Sequence, residues 1–504
     1  MTPDDPRTGA RVSSGAVTAA FPPVPLDDLV AVVADATIRG DGGTPVTDVA
    51  FDSREVGPGA LFFCVPGLHV DGHTFASAAL EAGAAALVVE RWLDVEAPQV
   101  LVGSVRDAMG PISAEAFAHP ASSMVTVGVT GTNGKTTVTY VLASIFEAAG
   151  WTAGVVGTTG ASVAGEPVPL ARTTPEAPDL HRLLARMRDR GVRGAALEVS
   201  SHALAQRRVD GVVFDVAVFT NLSQDHLDFH ATMDAYFDAK ARLFTPVHTV
   251  RAVVNVDDAF GRRLLRDPAV PTTTFGLGAG ADVRAGDVVV TRDGIGCTMG
   301  GVTIRSRLRG AFNAENVLAA FAAARELGIG DDAIGRGIAA VHEVPGRMEP
   351  IEAGQDFLVV VDYAHTPDSI RSVLRAARPL TSGRLILVFG CGGDRDHAKR
   401  SPMGAAATSG ADLSVVTTDN PRSEDPLAII AEVERGAQEG GGSFVVEPDR
   451  RVAIRLALQE AGPGDTVVIA GKGHERFQEL RGETVPFDDR SVAREELEVL
   501  GRDL

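Results

Sequence analysis

Residues 123–150 leave a chain the fewest ways to fold: an apolar run, SMVTVGVT, meets GTNGKTT at 131–137 and then a stretch with apolar residues at Val138, Val141, Leu142, Ile145 and Phe146. That spacing puts all five on one face of a helix, so the segment reads as buried strand, glycine-rich turn and amphipathic helix. A turn of this kind points backbone N–H groups and a helix N-terminus at one spot, which is a cradle for phosphate. Gly131, Thr132, Asn133, Gly134, Lys135, Thr136 and Thr137 are therefore the expected ATP-binding set. Lys135 is expected to reach the β- and γ-phosphates and Thr136 to bind Mg2+. The strict G-x-x-x-x-G-K-[ST] pattern is not met, because Val129 occupies its first glycine position.

Around this unit the chain alternates. Strand candidates follow at 194–199, 215–221 and 252–257, with helix-like stretches between some of them, and 281–310 reads as antiparallel hairpins. The last third has four apolar runs, at 358–361, 384–389, 413–418 and 466–470, interleaved with helix starts. Three of those starts, Thr366-Pro367, Ser401-Pro402 and Asp425-Pro426, place a capping residue before proline. Such grammar predicts α/β folding with mostly parallel sheets and a doubly wound last domain. At 504 residues the chain exceeds a single core. The segment from Leu26 to about Ala118 reads as a small α/β domain, with further boundaries near His119-Pro120 and Val344–Gly346. Residues 1–20 read as a loose, disordered tail.

A formal net charge of −19 argues against nucleic acid or an anionic membrane surface as partner, but not against small anions held by a local cluster. Cys64, Cys297 and Cys391 lie far apart, which fits a reducing compartment and neither a disulfide framework nor zinc. No apolar run approaches the roughly 18 residues of a membrane span.

Ligands of open α/β sheets sit beyond the carboxyl ends of strands. In the last domain those ends carry Asp362, His365, Arg395, Asp419, Asn420, Arg422, His474 and Glu475. Paired guanidinium groups suit carboxylates, and acids beside them suit ammonium groups, so this collection fits an amino acid. In the middle of the chain, Glu198 in EVSSH and His226 in NLSQDHLDFH are candidate metal ligands.

GTNGKTT, EVSSH, NLSQDHLDFH, YFDAKARLF, FNAENVLAA, GRME, DYAHTP, DNPR and GKGHE occur in one order. That ordered set resembles the Mur ligases from Asp52 onward. The resemblance implies a UDP-binding domain (21–120), a central P-loop ATPase domain (121–345) and a C-terminal Rossmann-like domain (346–504) for the incoming amino acid. It implies a cytoplasmic, monomeric ligase of peptidoglycan biosynthesis that uses ATP and Mg2+ and has only small-molecule substrates. UDP-MurNAc-L-Ala-D-Glu would be phosphorylated on its free carboxylate, and an amine would attack the acyl phosphate.

By the same resemblance, Phe51, Ser53, His69, Val70 and Asp71 would contact the uridine part. Thr173, Thr174, Ser200, Gln206 and Arg208 would hold the muramoyl-dipeptide and pyrophosphate. Asn313 and Asn316 would lie on the adenine side. Lys240 would be carbamylated and would join Thr136, Glu198 and His226 at the metal, while Lys135, Arg347 and His365 would assist catalysis. Arg395, Asp419, Asn420, Pro421, Arg422, Gly471 and Glu475 would hold the amino acid. Arg422 of DNPR favours meso-diaminopimelate, whose second carboxylate lysine lacks. The alternatives are a lysine-adding relative, a folylpolyglutamate synthetase-like ligase, and a P-loop nucleotide switch that does no ligation.

Overall fold

The computed structural model describes residues 21–67 and 70–502, so the expected tail at 1–20 and His69 lie outside the described residues. Among the described residues three large sheets follow one another along the chain, besides two two-stranded pairs. The first has five strands in the order Thr37–Arg39, Gln99–Leu101, Ala86–Val89, Ala60–Phe63, Asp48–Ala50, all neighbours parallel except the first pair. Successive residues of its run face opposite cores: Leu61 and Phe63 enter one cluster, and Phe62 and Cys64 the other.

The second sheet has eleven strands. Its parallel centre runs Ala153–Gly157, Gly194–Glu198, Val125–Thr130, Phe214–Phe219, Thr249–Asn255, Thr272–Gly276. Burial on both faces explains why these strands are continuous apolar runs. Val127, Val129, Val216 and Val218 point to one core, and Leu197, Ala217, Phe219 and Val254 to the other. The expected antiparallel hairpins are Val283–Thr291, Gly294–Met299 and Val302–Ser306, which extend the same sheet. A further hairpin, Gly160–Val163 with Glu166–Val168, closes the opposite edge. Its turn residues Ala164 and Gly165 both have positive φ, the backbone a two-residue hairpin turn requires.

Helix Lys135–Ala148 lies on the first of these cores. Val138, Val141, Leu142, Ile145 and Phe146 are all fully buried there beside Phe321, Ile334 and Ile338, each worth roughly 1.5–3 kcal/mol relative to exposure. Gly337 lets helix Asp331–Ala340 come backbone to backbone with Ile145.

The third sheet runs Glu349–Pro350, Leu358–Asp362, Thr466–Ala470, Leu385–Phe389, Leu413–Val416, Phe444–Val446. Its last long strand in sequence is inserted between the first two long ones, so both neighbours' ends flank Gly471. Thr366 caps helix Pro367–Ala377 in a reciprocal box with Ser369, and Asp425 caps Pro426–Gly440. Ser401 is not a cap. The third helix starts at Arg400, two residues before Pro402, after a 3-10 turn whose cap is Asp396. Pro402 is still tolerated, because the first-turn N–H groups of a helix have no partner within it.

His181, on helix Ala177–Asp189, is completely buried, and one ring nitrogen donates to the Asp210 carbonyl at 3.1 Å. Burial drives its pKa down from 6.5 to about 4. Below pH 6.5 the unfolded chain binds a proton that the folded one refuses. Stability therefore falls as pH drops from 6.5 to 4, by about 3 kcal/mol from this residue. Urea unfolding midpoints at pH 7 and pH 5 should diverge less for His181→Gln than for the wild type. An equal divergence would remove His181 as a contributor.

Candidate active site

The turn at 131–134 is held from outside. Asn221 closes it with its carbonyl on the Thr132 N–H (2.8 Å) and its side-chain oxygen on the Asn133 N–H (2.9 Å). Thr220 donates to the Asn133 carbonyl at 2.6 Å. Gly131 and Gly134 have φ of 147° and 91°. A methyl group on either would overlap Thr220 Oγ1 or Asn316 Oδ1, so glycine is required by both conformation and space. Asn316 itself donates to Asn313 Oδ1 (2.8 Å), and Asn313 to the Arg309 carbonyl (2.7 Å). This places both asparagines on one wall of the loop. Asn221 lay within a motif read for its histidine; an asparagine at a strand end beside a glycine loop is the signal that would have found it.

Two lysine amines meet at this loop. Lys135 Nζ donates to the carbonyls of Gly131 (3.0 Å) and Thr132 (2.9 Å), and Lys240 Nζ donates to the same Gly131 carbonyl at 2.9 Å. Lys240 is buried. Burial, reinforced by the charge of Lys135, holds its pKa well below the usual lysine range. Burial lowers Lys135 as well, with Glu198 and Asp225 opposing and Arg347 adding to the effect.

Arg347 crosses from the third domain's entry to donate to Thr136 Oγ1 at 3.0 Å, its guanidinium lying over the Tyr363 ring. Glu198 is buried and accepts from Thr158 N–H and Oγ1, both at 2.9 Å. His226 has a positive φ of 54° and packs edge-on to His202. Burial takes His226 down to about 4, with Lys135, Lys240 and His365 adding to the effect against Asp225, so its imidazole is neutral at pH 7 and retains a lone pair. Asp225 is missed by the sequence reading. Burial pushes its acid up, but His226, His365 and Lys399 outweigh that and hold it below the usual range.

A second cluster lies toward the first domain. Glu176 is buried and takes Arg172 (2.6 Å), Arg208 (3.0 Å) and Arg106 (3.1 Å), three guanidinium groups on one carboxylate. Gln206 accepts from Arg208 at 2.5 Å. Thr174 donates to the Glu198 carbonyl (2.8 Å) and accepts from Ser200 N (3.2 Å), while Thr173 and Thr158 share a hydroxyl contact at 3.2 Å. The surplus positive charge and the hydroxyl row suit a phosphorylated sugar. Phe51 and Ser53 are half-buried in the first domain. Val70 is exposed, and the Asp71 carboxylate is taken by His73 and Arg91.

The third-domain strand ends converge in part. Asp362 does not face a ligand, because its oxygens accept the N–H groups of Met348 and Ala364, both at 2.8 Å. His365 Nδ1 lies 2.7 Å from the Tyr363 carbonyl. That carbonyl can only accept, so Nδ1 carries the proton and Nε2 the lone pair. Burial and Lys399 lower the His365 pKa, against Asp225. Asp419 and Asn420 are buried after Leu413–Val416, and Pro421 and Gly471 are buried beside them. Arg422, at φ 54°, pairs with Glu479 (2.7 Å) and donates to the Gly393 carbonyl (2.6 Å). Arg395 is exposed. Behind them Arg450 and Asp489 form a wholly buried pair at 2.6 Å. Arg450 also donates to the Thr418 and Ala470 carbonyls, tying together the strand ends that present Asp419 and Gly471.

Comparison with known proteins agrees with this three-part layout. Residues 45–118 match the model of the Mur ligase family, catalytic domain; 129–324 match the Mur ligase middle domain; and 346–473 match the Mur ligase, glutamate ligase domain. The UDP-N-acetylmuramoyl-L-alanyl-D-glutamate--2,6-diaminopimelate ligase of Streptomyces avermitilis is 46% identical over 490 residues, covering 94% of this chain and 96% of the relative. A solved structure of a ligase of that name matches with a TM-score of 0.68 at 35% identity, covering 95% of this chain and 99% of the other. The MurF ligase from Thermotoga maritima in complex with ADP shares the fold, with a TM-score of 0.60 at 20% identity over 90% of this chain and 98% of the other.

Because a side chain at position 131 must displace Thr220, Gly131→Ala should weaken binding of a non-hydrolysable ATP analogue by at least about ten-fold in calorimetry. Unchanged affinity would mean the loop opens before nucleotide enters.

Proposed function

The chain belongs to the Mur ligase family, and on that premise we infer that it is an ATP-dependent amide ligase that adds meso-diaminopimelate to UDP-MurNAc-L-Ala-D-Glu in peptidoglycan precursor synthesis. The observation that carries this is the relationship at 46% identity across 94% of the chain, which spans all three substrate regions together. The cytoplasm is its proposed location, and among the described residues no helix is long and apolar enough to cross a membrane.

Each domain presents one substrate. The hydroxyl row and Arg208 orient the dipeptide so that its free carboxylate faces the phosphate loop. Lys135 leaves its loop carbonyls for the phosphates and neutralises charge there. Arg347, already on Thr136, offers a second cation to the transferring phosphoryl group. Once the carboxylate is phosphorylated, the amine displaces phosphate and must lose a proton. His365 Nε2 is the proposed acceptor, since its other nitrogen is committed to Tyr363.

The donor set fits Mg2+ of the kind shared with phosphates rather than caged by protein. Thr136 Oγ1, the Glu198 carboxylate and the neutral His226 imidazole are the proposed ligands. When bound, the ion would supply charge neutralisation at the phosphates. A carbamate on Lys240 would add an anionic oxygen. The low pKa of this buried amine supports that reading, because only the neutral form attacks carbon dioxide, losing one proton as the N–C bond forms. Lys240→Ala should lower kcat by at least about a hundred-fold, and removing dissolved carbon dioxide should slow the wild type but not this variant. Wild-type activity indifferent to bicarbonate would refute the carbamate.

The two carboxylates of meso-diaminopimelate are matched by Arg395 and Arg422. Purified protein should release phosphate from ATP only when the nucleotide sugar and an amino acid are both present, with meso-diaminopimelate preferred over L-lysine by about a hundred-fold or more. Arg422→Ala should lose most of that preference. Preference for lysine would keep the ligase and discard the role of Arg422, and no release with either would discard the function.

A further inference from the structure

Lys472 stands between the glycines of GKGHE, and its side chain is wholly buried, a place lysine occupies almost only when paired. Its ammonium donates to Asn420 Oδ1 at 2.9 Å and to Glu475 Oε2 at 3.1 Å. Asn420 Nδ2 donates to the same Glu475 oxygen at 2.9 Å, and the Glu479 N–H closes on Asn420 Oδ1 at 3.1 Å. An ammonium can only donate, so the Asn420 amide has one possible orientation. Glu475 Oε2 is thereby occupied twice, while Oε1 makes no hydrogen bond among the described residues.

We propose that Lys472 is a positioning residue of the amino-acid site: it locks Asn420 and Glu475 into one arrangement, supplies the counter-charge for Glu475, and so leaves Oε1 to accept an ammonium group of the incoming diamino acid. This rests on the function proposed above. The groups acting on Glu475 come from four elements: Lys472 on its own turn, Asp419 beyond Leu413–Val416, Arg450 on helix Arg450–Glu460, and Tyr363 after Leu358–Asp362. Burial pushes the Glu475 acid up, Asp419 adds to that, and Lys472 opposes it. Without Lys472 that opposing charge is gone and the acid moves further up, toward its protonated form. A protonated Glu475 cannot pair with an ammonium group, and raising the pH restores the pair.

The test compares wild type, Lys472→Met and Lys472→Arg from pH 6.5 to 8.5, measuring KM for meso-diaminopimelate, for ATP and for the nucleotide sugar. Lys472→Met should raise KM for the amino acid about ten-fold near pH 7 and approach the wild type as pH rises. KM for ATP should stay within about two-fold, which also reports intact folding, and Lys472→Arg should recover part of the loss. Glu475→Gln should raise the same KM without recovery at high pH, and adding Lys472→Met to it should cost less than Lys472→Met costs alone. A Lys472→Met KM equal to wild type, raised equally at every pH, or raised together with KM for ATP would overturn the proposal. Absence of turnover in the wild type would instead refute the function, and this role with it.

Discussion

One carbonyl oxygen, that of Gly131, accepts from two lysine amines, and the rest of the central site is organised around that crowding. Neither amine has a carboxylate within hydrogen-bond distance among the described residues; Lys240 is buried and Lys135 half-buried. Burial of unpaired cations is costly unless an anion arrives or the amine gives up its proton. The site is thus built with a deficit of negative charge, which ATP phosphates at Lys135 and a carbamate at Lys240 would each correct. Rigidity of the glycine loop matters for the same reason. Thr220, Asn221 and Asn316 prevent the backbone from relaxing away from the two amines.

In the third domain the arrangement is the opposite, with the charges at the strand ends paired to one another. Arg450 and Asp489 neutralise each other completely out of water and use their remaining donors on strand carbonyls. That fixes the ends from which Asp419, Asn420 and Gly471 project. Arg422 and Glu479 pair at the rim, and Lys472, Asn420 and Glu475 pair within. Arg422 and Glu475 are thus each held by a charged neighbour, which fixes their geometry without a ligand.

Much of this was legible from the chain. The runs at 194–199, 358–361 and 466–470 became parallel strands because residues buried on both faces must all be apolar. The one-face spacing from Val138 to Phe146 became a buried helix face. Thr366 and Asp425 capped helices as read. Ser401 did not, because a 3-10 turn upstream began the helix two residues early, and such turns leave little trace in local composition. Asp362 looked like a ligand group by its place at a strand end, yet it serves two backbone N–H groups. A carboxylate's partner there depends on how the neighbouring segment from Val344 to Met348 crosses it.

By itself the sequence determined the kinds of element, the phosphate loop, the family, and the chemical types present at the strand ends, because periodicity, glycine placement and motif order are local properties of the chain. Only the tertiary structure decided which charges are shared. Lys135 and Lys240, 105 positions apart by their numbering, meet at one oxygen. Arg347 reaches Thr136 across a domain boundary, three arginines converge on Glu176, and Lys472 stands behind Glu475. Hydrogen bonds and burial act over a few ångströms in space whatever the separation along the chain, so the partners of a charged group, and with them its protonation and its role, exist only once the sheets have been brought together.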